Sequence, residues 1–409
     1  MAITHKWKFK SHFRNQAYGW HGTALASKRL QEAVSEIKKL AKTDPIEAAD
    51  GAVSLMERLW PALQDIDSSS GALGNAVNKT ISALMPVLIQ AQADRKTREK
   101  WLNRLYKAVR EDGVQYLSSV EESWGKICQY PELMNEWADL LLPSLRDHWQ
   151  EKKSHQYFIG IDICLSCLLE AGRYDDLKDL LAFHSIEFWP YDWFWAEALR
   201  RQGCINEAIA YAESRLKNDQ QNFRIMEFCE SLLLEVGRKE EAYTNYALKQ
   251  KSDWTYIAQF RSIVKKYPEK EPRQILLDLI AQTDIKAIWF ASARQAGFLD
   301  IALECAYAGV VNPHTLIRAA RDAVKTEPKF AAPVALRALD LMLQGYGFEF
   351  TTRDIGLAFD YLMTAAEKYQ SKAWALGELE NVLSQNRKSD NKIVRQILTE
   401  LVNLARAKL

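Results

Sequence analysis

A short pattern recurs along the middle of this chain: an apolar residue, three further residues, a glycine, four residues, then Leu or Ala. It reads Leu168, Gly172, Leu177; Leu199, Gly203, Ala208; Leu233, Gly237, Ala242; and Ala293, Gly297, Ala302. Glycine has no Cβ, so it enters the left-handed region that ends a helix without steric cost. A small residue five places later lets the following helix pack closely against the one just ended. The four glycines are separated by 31, 34 and 60 residues, close to one, one and two lengths of a ~34-residue helix–turn–helix unit. A chain that reverses after every helix must bury each hairpin against the next, which confines it to a stacked helical array.

Composition agrees. The 17 Gly and 11 Pro among 409 residues lie below the usual ~7% and ~5% shares, as helices require and turn-rich β proteins do not allow. No stretch sustains β alternation, and the strand-like fragments 6–10 and 348–350 are too short to found a sheet. The 48% hydrophobic and 26% charged fractions describe a folded chain rather than a disordered one. Its length exceeds what one growing core serves, so either two or three cores or one elongated array is expected. The fold class is therefore all-α.

The four turns, LEAGRYDDL, RRQGCINEA, LEVGRKEEA and RQAGFLDIA, resemble the inter-helix turn of tetratricopeptide repeats. The resemblance covers about residues 155–312 and implies an α-solenoid of helical hairpins that binds a peptide or protein on its surface. The small residue of the family seven places before the turn glycine is Ala196 in one unit, but Leu165, Glu230 and Phe290 in the others. The family's peptide-carboxylate clamp has no located counterpart here, so no clamp residue is transferred. The amino-terminal third resembles helical segments of uncharacterised bacterial proteins, which implies no activity.

Around the repeats, helix signals divide the chain into an arm (1–22), an amino-terminal helical domain (23–150), the tetratricopeptide-like repeats (151–312) and a carboxy-terminal helical extension (313–409). Asp44, Pro45 and Glu47 are N-cap, N1 and N3 of a helix start. Pro86 predicts a kink or restart in the helix before it. Helices are expected at 95–112, 114–128, 132–142, 314–326, 329–344, 352–369, 371–386 and 390–408.

The net charge of +1 excludes a global field that would drive nucleic-acid or membrane binding. Its distribution is uneven, because residues 1–42 hold nine Lys/Arg against two Glu. The arm interleaves Lys6, Lys8, Lys10 and Arg14 with Trp7 and Phe9. Cations neutralise phosphates and rings stack on bases, so these six residues form a candidate nucleic-acid site, or else the rings dock on the chain's own body. Ser68, Ser69 and Ser70 precede a helix and are either its cap or an anion site. Trp189, Tyr191, Trp193 and Trp195 crowd one helix start; rings on successive positions point to different sides, so some are expected in a groove that grips a partner.

No P-loop, dinucleotide or nucleophile-elbow glycine motif occurs. Cys164-x-x-Cys167 lacks a second pair or nearby histidines, and it lies in an apolar helix. His148 and His155 lack a carboxylate at ligand spacing, and the histidines at 5, 12 and 21 fall in a polar arm. Neither metal nor cofactor is expected. A catalytic role would need distant groups such as Asp162, His184 and Glu187 to converge. The six cysteines are scattered, no secretory leader is evident, and the apolar run 81–93 is too short for a membrane span. The expectation is a non-enzymatic cytoplasmic scaffold with a peptide or protein partner and no membrane. The alternative is a nucleic-acid-associated accessory protein of a bacterial defence or mobile-element system.

Overall fold

The computed structural model describes residues 5–150, 158–184, 186–216, 222–250, 255–347, 350–386 and 391–408. Among them are 22 α-helices and no β-strand, so the chain is all-α. Compactness divides it once, into Met1–Ile225 and Met226–Leu409.

The first unit contains α1 (Thr23–Leu40), α2 (Pro45–Leu63), α3 (Ala72–Gln90), α4 (Arg95–Glu111), α5 (Ser118–Glu122), α6 (Trp124–Cys128), α7 (Pro131–Gln150), α8 (Ile161–Glu170), α9 (Tyr174–Ala182), α10 (Trp189–Arg201) and α11 (Ile205–Glu213). The division falls within α12 (Asn222–Glu235). The second unit continues with α13 (Lys239–Ala242), α14 (Tyr256–Lys266), α15 (Pro272–Ala281), α16 (Phe290–Gln295), α17 (Leu299–Tyr307), α18 (Pro313–Ala323), α19 (Pro328–Leu343), α20 (Thr352–Tyr369), α21 (Lys372–Gln385) and α22 (Lys392–Arg406).

The repeated turns form as their glycines dictate. Gly172, Gly203, Gly237 and Gly297 have φ of 71°, 77°, 78° and 88°. At the first, Arg173 N–H donates to the Leu168 carbonyl at 2.9 Å and Gly172 N–H to that of Leu169 at 3.2 Å, and the same pair of bonds closes the other three. These bonds satisfy carbonyls that a helix end leaves orphaned. The residues five places on, Leu177, Ala208, Ala242 and Ala302, are buried in the hairpins. A fifth turn of this geometry ends α19 at Gly345, with φ 87° and a bond from Tyr346 N–H to Leu341. This helix end lies beyond the segment recognised in the sequence.

Ala196 fills the position seven before its glycine as a small buried residue. At the matching position Glu230 is fully buried, and its carboxylate accepts from Tyr267 Oη at 2.8 Å, Lys266 Nζ at 2.8 Å and Gln250 Nε2 at 2.6 Å. A buried carboxylate is tolerated only when its oxygens are so satisfied. Burial, reinforced by the bond to Glu230, pushes the Tyr267 phenol well above its ordinary value.

In the first unit Asp44 caps α2 by accepting from Glu47 N–H at 3.0 Å. Pro86 does not restart its helix: α3 runs through it to Gln90. This helix has the length and mean hydropathy, 1.2, of a membrane span, but it packs against α1 and α2 with Leu73, Val77, Ile81 and Leu84 buried. The stretch expected as one helix over 114–128 is broken at Ser123 into α5 and α6, whereas the helix expected at 132–142 continues through Pro143 to Gln150. Arg98 closes the carboxy-terminal ends of α3 and α6. Its buried guanidinium donates to the carbonyls of Ile127 at 2.7 Å, Ile89 at 3.2 Å and Leu88 at 3.4 Å, and to that of Ala91.

Candidate interaction surface

Helix α10 begins with Pro190 in its first turn, where no amide is needed, and Asp192 reaches back to accept from Phe188 N–H at 3.2 Å. The helix packs on α8, α9 and α11. Neighbours on three sides give successive residues something to bury against. Trp189 and Phe194 are consequently buried, and Tyr191, Trp193 and Trp195 are half-buried against the same core. This corrects the expectation for Trp189, which is core rather than partner surface. Of the other rings, Trp193 meets Phe194 edge-on at 5.2 Å, and Trp195 lies under the Lys178 ammonium at 5.7 Å.

The free apolar surface lies just ahead of them. Phe183, Ile186 and Phe188, in the connection from α9 to α10, are 38%, 38% and 37% exposed. Sequence reasoning passed over these residues. Phe188 rests on Tyr191 at 4.9 Å, and Tyr191 in turn meets His184 at 5.3 Å and the buried Trp149 at 6.0 Å. Phe188 thus stands on an aromatic base.

Beside that base, Tyr211 Oη donates to Asp192 Oδ1 at 2.5 Å, and Arg215 lies 3.2 Å from the same oxygen while stacking on the Tyr211 ring at 4.6 Å. Glu187 faces Arg215 at 3.6 Å. Burial, then the bond to Asp192, raises the Tyr211 phenol, while burial lowers the His184 imidazole against the opposing pull of Asp192. Asp192, held by the Tyr211 phenol, the Arg215 guanidinium and the Phe188 amide, makes a polar joint between α10 and α11. His184 and Glu187 do come close to one charged joint. Asp162 instead neighbours Glu121 and Glu122 of α5, so the three do not converge.

The arm is rearranged relative to its nucleic-acid reading. Trp7 and Phe9 are buried, together with Phe13 and Tyr18, so their rings are unavailable for stacking on bases. The cause is a notch in α2: Gly51 lies directly under the Trp7 indole, which occupies the space a Cβ would fill. Lys6, Lys8, Lys10 and Arg14 remain exposed, and residues 8–11 form a single 3-10 turn rather than a strand. Residues 348 and 349 of the other fragment lie outside the described residues.

Ser68, Ser69 and Ser70 are exposed, and the anion place beside them is taken by the chain itself. Asp67 accepts from Ser69 N–H at 2.9 Å, which lowers its carboxyl, and Ser70 Oγ accepts from Ala72 N–H at 3.4 Å. The seryl run is a turn before α3 with an internal carboxylate beside it. Cys164 and Cys167 are fully buried on α8, and burial pushes the Cys164 thiol up to about 12. His148 meets the Phe158 ring at a tilt, 5.3 Å between centroids; His155 lies outside the described residues. Among the described residues no group of three His, Cys, Asp or Glu is placed to hold a metal.

No protein-family model matches the chain, so tetratricopeptide membership is not established. No curated protein matches it either. Among solved structures, a "Circular tandem repeat protein with novel repeat topology and enhanced subunit contact surfaces" aligns over 94% of this chain and 84% of its own, with 15% identity and a TM-score of 0.20. The helical tandem-repeat description rests on the five glycine turns themselves.

Proposed function

We propose that this chain is a non-catalytic binding scaffold whose peptide or protein partner docks on the α9–α10 connection of the first unit. The observation that carries this reading is the exposure of Phe183, Ile186 and Phe188 within one short connection, with Phe188 resting on Tyr191. Single exposed apolar residues are ordinary, but three within one six-residue connection favour an interaction surface. Large apolar anchors dominate such interfaces, and the Glu187–Arg215 pair supplies a polar rim. The joint behind the patch uses its own titratable groups to hold α10 on α11, which favours recognition over proton transfer. All six cysteines are free thiols, as suits a reducing compartment such as the cytoplasm. A nucleic-acid role has weaker support, since Trp7 and Phe9, the rings interleaved with the arm's lysines, are buried.

The test compares capture by the immobilised full-length protein with capture by a Phe183→Ser/Ile186→Ser/Phe188→Ser variant, using Leu140→Ser as an exposed apolar control elsewhere in the unit. The expected result is at least one protein, identified by mass spectrometry, that binds wild type and control but is lost with the triple variant. Retention of every captured protein by the triple variant overturns the assignment.

A further inference from the structure

A cavity of about 700 Å³ lies between the amino-terminal segment and α1, within the first unit. One wall is a single face of α1, because Arg29, Glu32, Ala33, Glu36 and Leu40 follow helical spacing; His5, Lys8, Phe9 and His12 form the other. Phe9 and Ala33 are buried beneath it, so the floor is apolar. The volume lies within the range of small-molecule sites.

The charges lining it are unequal in what remains uncommitted. Glu36 accepts from the backbone N–H groups of Lys8 at 2.9 Å and Phe9 at 3.3 Å, with His5 Nε2 3.5 Å away. Glu32 takes the Arg29 guanidinium at 2.9 Å, and the same guanidinium nitrogen lies 3.4 Å from His12 Nδ1. Both acids are therefore engaged in holding the arm or an arginine. The ammonium groups of Lys8 and Lys39, both exposed at the edge, have no ion-pair partner among the described residues. The cavity presents an apolar floor under two unneutralised cations.

We propose that this cavity binds an amphipathic organic anion, its apolar body on Phe9, Ala33 and Leu40 and its anionic head between Lys8 and Lys39. Charge complementarity selects the class. A cation would meet two ammonium groups, an inorganic anion would leave the floor wet, and an uncharged body would forgo the lysines. The site is separate from the α9–α10 patch and stands or falls without it.

Anilinonaphthalene sulfonate has this chemistry and fluoresces when its rings leave water. Titrated into the full-length protein, it is expected to bind saturably and more tightly than uncharged N-phenylnaphthylamine. Lys8→Gln/Lys39→Gln should weaken it about tenfold, as loss of charge-assisted contacts predicts. Lys6→Gln/Lys10→Gln removes equal charge from the same arm outside the cavity and should change binding by less than about twofold. Displacement by decanoate identifies a carboxylate amphiphile, and displacement by adenosine monophosphate identifies a nucleotide. Absence of saturation, equal binding of the uncharged probe, equal losses in the two double variants, or displacement by neither competitor overturns the proposal.

Discussion

Replacing Arg98 by methionine is expected to destabilise the first unit by about 4 kcal/mol. The guanidinium is fully buried and donates to the carbonyls of Leu88, Ile89, Ala91 and Ile127, which end α3 and α6. Those carbonyls have no amide partner within their own helices, because no further turn follows. Methionine fills the space but leaves the Leu88, Ala91 and Ile127 acceptors dry, at roughly 1–3 kcal/mol each, while the Gln129 amide still donates to Ile89. Relief of the cost of burying a cation, several kcal/mol by itself, offsets about half of that. Burial already lowers the Arg98 pKa, as a desolvated cation requires. For a unit of this size the net loss corresponds to a drop of roughly 10 °C in melting temperature. Thermal melting followed by tryptophan fluorescence is the assay, since Trp101 lies beneath Arg98 at 5.8 Å. Arg98→Lys should fall between wild type and Arg98→Met, because one ammonium lacks the fork that spans two helix ends. An Arg98→Met protein melting within about 2 °C of wild type would refute the reasoning, which assigns at least ~3 kcal/mol to the cap.

Gly51→Ala should improve helix propensity by about 1 kcal/mol yet destabilise the first unit by roughly 1–2 kcal/mol overall, because its Cβ overlaps the Trp7 indole. Faster proteolysis within the arm would accompany this, and a more stable variant would contradict the packing. Burial first, then Asp162, Asp112 and Glu122, lifts the Glu121 carboxyl to about 8, and burial with Glu122 lifts Asp162 to about 7. A raised acid keeps its proton in the folded state while the unfolded chain ionises, so stability falls as pH rises from about 4.5 to 8. At pH 7 the Glu121 contribution to this loss is roughly 3 kcal/mol, at ~1.36 kcal/mol per pKa unit. Denaturant midpoints for Glu121→Gln should fall less steeply between pH 5 and 8 than those of wild type; parallel profiles would show that the carboxyl ionises freely.

What the sequence by itself determined are features settled within a few residues of backbone. The glycine turns, the Asp44 cap and the terminal helices α18 to α22 follow from sterics and local hydrogen bonds, and they appear where the residues place them. Gly345 ends α19 in the same way but was missed, because Phe350 rather than a small residue stands five places on. The Asp67 carboxylate that fills the seryl turn was legible too, since its partner amide is only two residues away.

Tertiary structure alone decided which apolar side chains remain for a partner. Trp189 and Phe188 are adjacent and similar in sequence, yet one is buried among helices and the other stays in contact with solvent. The arm rings enter the core because Gly51, more than forty residues along the chain from Trp7, leaves room for an indole. The cation-edged cavity arises where that docked arm meets one face of α1. Burial and charge pairing depend on what packs against a side chain, and in a stacked array of helices that neighbour is supplied by distant residues whose arrangement no local pattern encodes.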